Sequence, residues 1–529
     1  MTLIYGCGTW VHDVGCAHLG KSGGPTQEQL RRHGLRCRSL RDHPASPAGR
    51  PGLSRIRSDG IDRVGRRHSS GRGVLARRAF ALIALSCWLF LLCPGRAGAA
   101  SWRVAAAPIS GRVKLAAGCS TSRDGNAPQI AVDPTNPLHL AATYAVAGAS
   151  VVAMSEDGGH TWTRSPITGT LVCDGGGGTY YFRFDPDLQF DPWGRLYVLE
   201  SVQGVFGSGT DGIDVFSLTV APGSNALTPA TPIVGADPLS GAQRAFVAFD
   251  PAAPDTADVL TERINYISGQ YKLGGGSLQI ARTLNGGASF STATVYSAPR
   301  RTTPLAEGLI RHGQELLAFG ELLSAAWHPG AKMPESAIML RSSDGGQSWS
   351  TPEKIFDHTV GADGVSDCCL LRPVSGPDGT IYIPDPNGGK LQLVRSSDDG
   401  RTWRRLTIGD FGDVSEPVAA ARPDGTVAVA FYRIAQTRAG QVAAVRIAVS
   451  ENHGRNWKLL GLGKPFLVDR LGPRDDTSPL GPVQAIAATP TGFVAAMTVG
   501  GSLVHARRGS NVDLLSIAKV ASNRPSNQL

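Results

Sequence analysis

Five charged residues stand at the entrances to short apolar runs: Asp124, Asp185, Arg244, Asp367 and Glu416. Carboxylates in such places can move protons, and a guanidinium can hold an anion. Whether they act together depends on what brings distant parts of the chain to one point; the alternative is that each only hydrates a strand end. The region after residue 100 also holds four cysteines, Cys119, Cys173, Cys368 and Cys369. An even number in an exported chain favours disulfides over catalytic thiols, and the pairs expected are Cys119–Cys173 and a vicinal Cys368–Cys369. No CxxC pair and no suitably spaced histidine accompanies them, so neither a zinc site nor a cofactor is expected.

A second set of polar residues recurs with fixed spacing. Ser-x-Asp-x-Gly-x-x-Trp is complete at Ser155, Asp157, Gly159 and Trp162, at Ser342, Asp344, Gly346 and Trp349, and at Ser396, Asp398, Gly400 and Trp403. Degenerate copies start at Ser450 and Thr283, giving intervals of 128, 59, 54 and 54 residues along the chain. The first interval is about twice the others, so one copy has eroded. An acidic turn suggests calcium, but these loops lack the run of carboxylates that calcium needs. The better reading is a hairpin tip. The hydroxyl and the Asp or Asn close the turn on nearby backbone, the glycine supplies a positive φ, and the aromatic plugs the space between sheets.

Those tips need strands to carry them. Short apolar strands flank Asp-Pro or Pro-Asp-Gly turns at Asp133-Pro134, Asp191-Pro192, Asp250-Pro251, Pro377-Asp378-Gly379, Pro423-Asp424-Gly425 and Pro490-Thr491-Gly492. A weaker copy surrounds His312-Gly313, making seven in all. The strands between them are β-branched or aromatic, and no amphipathic helix is evident. Units of roughly 45–65 residues cannot bury both faces of a small meander alone, and closing them into a ring solves this. The chain is therefore expected to be all-β, a β-propeller of seven blades. Trp102–Ile109 would complete the last blade, and six blades would result if the eroded or terminal unit is not one. The first strand of each blade would line an axial channel, bringing the five entrance residues to one mouth.

Composition agrees. The 529 residues are 41% hydrophobic and 18% charged, which argues against wholesale disorder, and the 66 glycines follow no three-residue period. Residues 1–100 carry 16 Lys and Arg against 5 Asp and Glu, whereas the remainder carries 36 against 38. The positive excess is thus confined to the first fifth, and no nucleic-acid partner is expected. Arg77-Arg78, the apolar run 79–93 and the small-residue exit Ala97-Gly98-Ala99 read as an export signal, too short to span a bilayer. The expected organisation is an extension at 1–73, a signal peptide at 74–99, a propeller at 100–510 and a tail at 511–529. The extension is either disordered or precedes a true start at Val74. The mature protein is expected to be a secreted monomer without a stable membrane span, or else anchored through an uncleaved apolar segment.

The repeated tips resemble the Asp-box, or bacterial neuraminidase repeat, of sialidase-like propellers. That resemblance implies a glycan or glycoprotein ligand and an exo-glycosidase, exo-alpha-sialidase-like or glycan-binding role. The alternative is a non-catalytic scaffold or interaction propeller. Sialidases hold a sugar carboxylate with three arginines, attack with a Tyr assisted by Glu, and use an Asp as acid/base. The first arginine stands in an Arg-Ile-Pro motif, and this chain has Asn126-Ala127-Pro128 there. The arginines left for a clamp are Arg183, Arg244, Arg263 and Arg433. Glu262 with Tyr266, or Glu416 with Tyr432, would be the base–nucleophile pair, and Asp124 or Asp367 the acid.

Overall fold

A computed structural model of the chain describes residues 100–111, 125–146, 149–169, 171, 180–204, 213–234, 240–267, 270–324, 333–360, 371–387, 389–468, 480, 485–500 and 510–520. They lie in one compact unit. The expected export signal and extension, and the four cysteines Cys119, Cys173, Cys368 and Cys369 expected to pair, lie outside the described residues. Among the described residues no helix is long and apolar enough to cross a membrane.

The strands form seven antiparallel meanders of four, one of them with an extra short strand, Phe466–Leu467. The innermost strands are Gly125–Val132, Tyr180–Phe190, Ser240–Phe249, Thr302–His312, Val374–Ser375, Asp413–Ala421 and Ala485–Thr489, for blades 1 to 7 in turn. Each inner strand packs on the next, and the seventh packs on the first, which closes the ring. Blade 7 closes by joining both ends of the unit: Ser101–Pro108 pairs with Ser510–Val520. The expected tail at 511–529 is thus corrected. Residues 511–520 form a strand, because Val512, Leu514, Leu515 and Ile517 are buried between the two strands that pair with it.

The core is not one mass but seven clusters, each lying between two neighbouring blades. The aromatic of each tip wedges into the cluster shared with the preceding blade. Trp162 fills blades 7 and 1, Phe290 blades 2 and 3, Trp349 blades 3 and 4, Trp403 blades 4 and 5, and Trp457 blades 5 and 6. Blade 2 holds the eroded copy, where the third and fourth strands, Ile213–Val220 and Thr231–Val234, are joined by a turn without the motif.

Each tip is closed by its own side chains. Ser396 Oγ donates to Asp398 Oδ1 at 2.7 Å and accepts the Gly400 amide at 2.8 Å. Asp398 in turn takes the Thr402 amide and hydroxyl at 2.9 and 2.6 Å. The same bonds recur at Ser155 with Asp157 and at Ser342 with Asp344. Gly400 has φ +78°, and a Cβ there would lie 2.7 Å from Met339 Sδ, so this turn requires glycine. The tips sit at the same end as the Asp-Pro turns, since the Gly158 amide donates to Leu138 O and the Gly286 amide to Asp255 O. The opposite end, where the inner strands begin, is left for the chemistry.

Candidate functional site

A break in the ladder shapes the strand-entry end. The inner strands of five blades lose register near their start, between Asn126 and Gln129, Phe184 and Asp187, Gln243 and Ala245, Ala306 and Gly308, and Ser415 and Val418. A bulge inserts an unpaired residue and re-aims its side chain. Ala127, Arg244 and Glu416 occupy these bulges with φ of +47°, +53° and +49°, a conformation costly for any residue but glycine. Pro128, Pro186 and Pro417 fit the same places because a bulge needs no amide donor.

The bulges of blades 3 and 4 bring Arg244 and Glu307 together. Arg244 Nη1 donates to Glu307 Oε1 at 2.6 Å, and the Arg244 amide donates to Ser201 Oγ at 3.1 Å. Two further buried glutamates flank them: Glu262, whose Oε2 accepts the Ala306 amide at 2.9 Å, and Glu321. Burial pushes the Glu307 carboxyl well above the usual carboxylate range. The Arg244 and Arg372 charges oppose that rise, and Glu321 and Glu262 add to it. Glu307 Oε1 accepts from Arg244, Oε2 is buried without a hydrogen-bond partner, and the residue lines the channel.

Arg372, just before the inner strand of blade 5, reaches across the axis. Its Nη1 donates to Gln129 Oε1 of blade 1 at 3.4 Å, and its guanidinium carbon lies 5.5 Å from the centroid of the Phe246 ring of blade 3. Its charge is also felt by Asp187 of blade 2, which burial pushes up to about 6 against that attraction and the Leu188 amide. One guanidinium thus touches groups from two other blades, and its charge is felt by carboxyls of two more. Gln129, Asp187, Phe246, Glu307 and Arg372 line the entry end of an axial channel of about 700 Å³. Toward the turns its walls become apolar, with Leu188, Val247, Leu309 and Val418.

The sequence candidates are distributed unevenly around this site. Arg244 belongs to it, and Glu262 borders it. Arg183 is buried away, its Nε 3.0 Å from Glu200 and its Nη1 donating to Ile167 O at 2.7 Å. Arg433 is exposed and donates to Phe411 O at 3.0 Å, between blades 5 and 6. Arg263 is half-buried on the second strand of blade 3. Arg183, Arg244 and Arg433 are each committed to a different partner, an arrangement unlike a shared clamp. Glu416 is buried in its bulge. Tyr432 is fully buried, donates to Thr498 O at 2.7 Å, and is raised well above the ordinary tyrosine range by burial and by Glu416. A phenol held this way is deactivated as a nucleophile. Asp124, Asp367 and the side chains of Asp185 and Tyr266 lie outside the described residues.

Sequence reading passed over Gln129, Asp187, Glu307 and Arg372. A signal was present: Ala127, Asp185, Arg244, Glu307 and Arg372 each stand six residues before the Asp or Gly of the following turn. That spacing marks the bulge in blades 1 to 4 and the position just before the inner strand in blade 5.

Residues 312–465 match the family model of the BNR repeat-like domain. No curated protein matches the chain. Among solved structures, a protein of unknown function from Dyadobacter fermentans is 13% identical, covering 78% of this chain and 99% of its own, with a TM-score of 0.40. An alpha-L-arabinofuranosidase from Fusarium graminearum is 14% identical, covering 65% of this chain and 97% of its own, with a TM-score of 0.43. A Trypanosoma rangeli sialidase is 11% identical, covering 79% of this chain and 59% of its own, with a TM-score of 0.40. Likenesses this distant do not bear on what the chain binds or cleaves. The tips and the closed ring make this chain a seven-bladed β-propeller, and its residues 312–465 match the BNR repeat-like domain.

Proposed function

We propose that this protein is an exported, carbohydrate-active propeller that takes a sugar into the strand-entry mouth of its axial channel and hydrolyses a glycosidic bond there. The observation that carries the reading is Arg372 at the channel, touching groups of blades 1 and 3 with its charge felt by carboxyls of blades 2 and 4. A guanidinium offers a planar set of donors to sugar oxygens, and Phe246 offers an apolar ring. Glu307 is the proton donor to the leaving oxygen, because burial raises its pKa well above the usual carboxylate range and the residue lines the channel. Asp187, ionised above about 6, is the second carboxylate, which stabilises the developing positive charge or activates water. Export rests on the Arg77-Arg78 and 79–93 pattern.

The test is a panel of fluorogenic glycosides, a sialoside included, together with a glycan array, run on the purified chain and on Glu307→Gln and Arg372→Ala. Turnover that disappears in Glu307→Gln while binding persists, and binding that disappears in Arg372→Ala, supports the reading. A chain that binds no glycan refutes it. The second reading, a non-catalytic interaction propeller, is favoured by the internal commitment of Arg183 and Tyr432. It predicts binding without turnover of any glycoside.

A further inference from the structure

The charges around the mouth select among sugars. Four carboxyl groups face or flank it, Asp187, Glu262, Glu307 and Glu321, against two guanidinium groups, Arg244 and Arg372. Arg244 is already bonded to Glu307. Arg372 lies in the field of both Asp187 and Glu307. The described carboxyl groups thus outnumber the described guanidinium groups by four to two. A sugar carboxylate entering here would lose its water and find no surplus positive charge in return, a cost that buried ions rarely recover.

Two buried polar atoms at the same mouth point to a different ligand. Gln129 Nε2 and Glu307 Oε2 have no hydrogen-bond partner, both side chains are more than nine-tenths buried, and both residues line the channel. They sit on blades 1 and 4, with Arg372 bonded to Gln129 and its charge felt by Glu307. An amide donor and a carboxyl oxygen left unsatisfied cost stability unless something completes them. Sugar hydroxyls, each donor and acceptor at once, do so without bringing charge.

Resting on the proposed function, we infer that the mouth selects an uncharged, hydroxyl-rich sugar over an acidic one. The loss of arginine at Asn126-Ala127-Pro128 has the same sense. Arg372 then serves as a hydroxyl-binding and positioning group, its charge held in check by the carboxyls beside it.

The experiment is isothermal titration of the full chain with matched oligosaccharides that differ only in a terminal group, neutral hexose against its uronate, and with a sialylated glycan. The neutral member is expected to bind about tenfold or more tightly than its uronate. Gln129→Ala weakens the neutral ligand by several-fold, and Asp187→Asn narrows the gap by admitting the uronate. Circular dichroism melting establishes that each variant is folded, and Gln129→Ala provides the test if Asp187→Asn does not fold. Tighter binding of the uronate or the sialylated glycan overturns this inference and leaves the carbohydrate reading standing. Absence of binding by every sugar defeats that reading, and this inference with it.

Discussion

Glu307→Gln distinguishes two electrostatic accounts of the mouth by the sign of a stability change. If Glu307 is ionised against Arg244, the substitution removes one partner of a buried pair, which costs about 3–5 kcal/mol. If burial holds Glu307 protonated, glutamine is nearly isosteric, keeps an oxygen for Arg244 Nη1, and removes a proton-uptake requirement. The linkage then runs one way. Glu307 has a folded pKa above its unfolded value of about 4.3, so the wild type is favoured below that value and loses stability as pH rises toward the folded pKa. Each unit of pH in that window costs the wild type about 1.4 kcal/mol that the variant does not lose. The variant's gain grows with pH as far as the folded pKa of Glu307, and for a unit of about 430 residues, with unfolding entropy near 0.9 kcal/mol/K, each 1.4 kcal/mol of it is about 1.5 °C in Tm. Differential scanning calorimetry of both proteins from pH 4 to 8 reads the difference, and the fluorogenic panel reads activity in parallel. A more stable, inactive variant is expected. A variant destabilised by a similar amount at every pH would mean an ionised pair and would remove Glu307 as the proton donor.

Ser396→Ala takes the acceptor from the Gly400 amide and the donor from Asp398, so denaturant unfolding should show a loss of about 2 kcal/mol. Ser→Ala at the eroded turn of blade 2, Ser224→Ala, should change stability by less than about 0.5 kcal/mol. Bonds to Thr402 and Ser396 hold Asp398 down at about 2, and Asp157 and Asp344 are lowered in the same way. A depressed carboxylate lends stability above its unfolded pKa and loses it as pH falls through the folded value, so Asp398→Asn should flatten the acid limb of Tm below about pH 4. Arg311 bonds both Asp250 and the fully buried Asp258, joining blades 3 and 4. Arg311→Met leaves Asp258 with Arg282 alone and should lower stability by about 2–4 kcal/mol in calorimetry.

The architecture was legible because its determinants are local. Ser396, Asp398, Gly400 and Trp403 close a turn within eight residues, and a pattern that repeats at 54-residue intervals announces a repeated sheet. The seven turns, the eroded copy and the closing role of Trp102–Ile109 all follow from such short-range features, since each unit must bury its faces on a neighbour. Local patterning also gave the approximate location of the site, because inner strands that begin with charged residues must gather at the axis. It misplaced the end of the last blade, whose strand Ser510–Val520 is secured by pairing with residues about 400 positions earlier.

The composition of the mouth was a matter of tertiary structure. Arg244 and Glu307 are 63 residues apart, and Arg372 and Gln129 are separated by 243. No spacing rule links such pairs, because their distance is set by blade number, bulge position and side-chain reach. The same holds for Tyr432 and Arg183, which read as reactive strand ends until the fold buried one against Thr498 and paired the other with Glu200. Backbone turns are decided by the residues that form them. Charge states and convergence are decided by desolvation and by neighbours from other blades, and these exist only once the ring has closed.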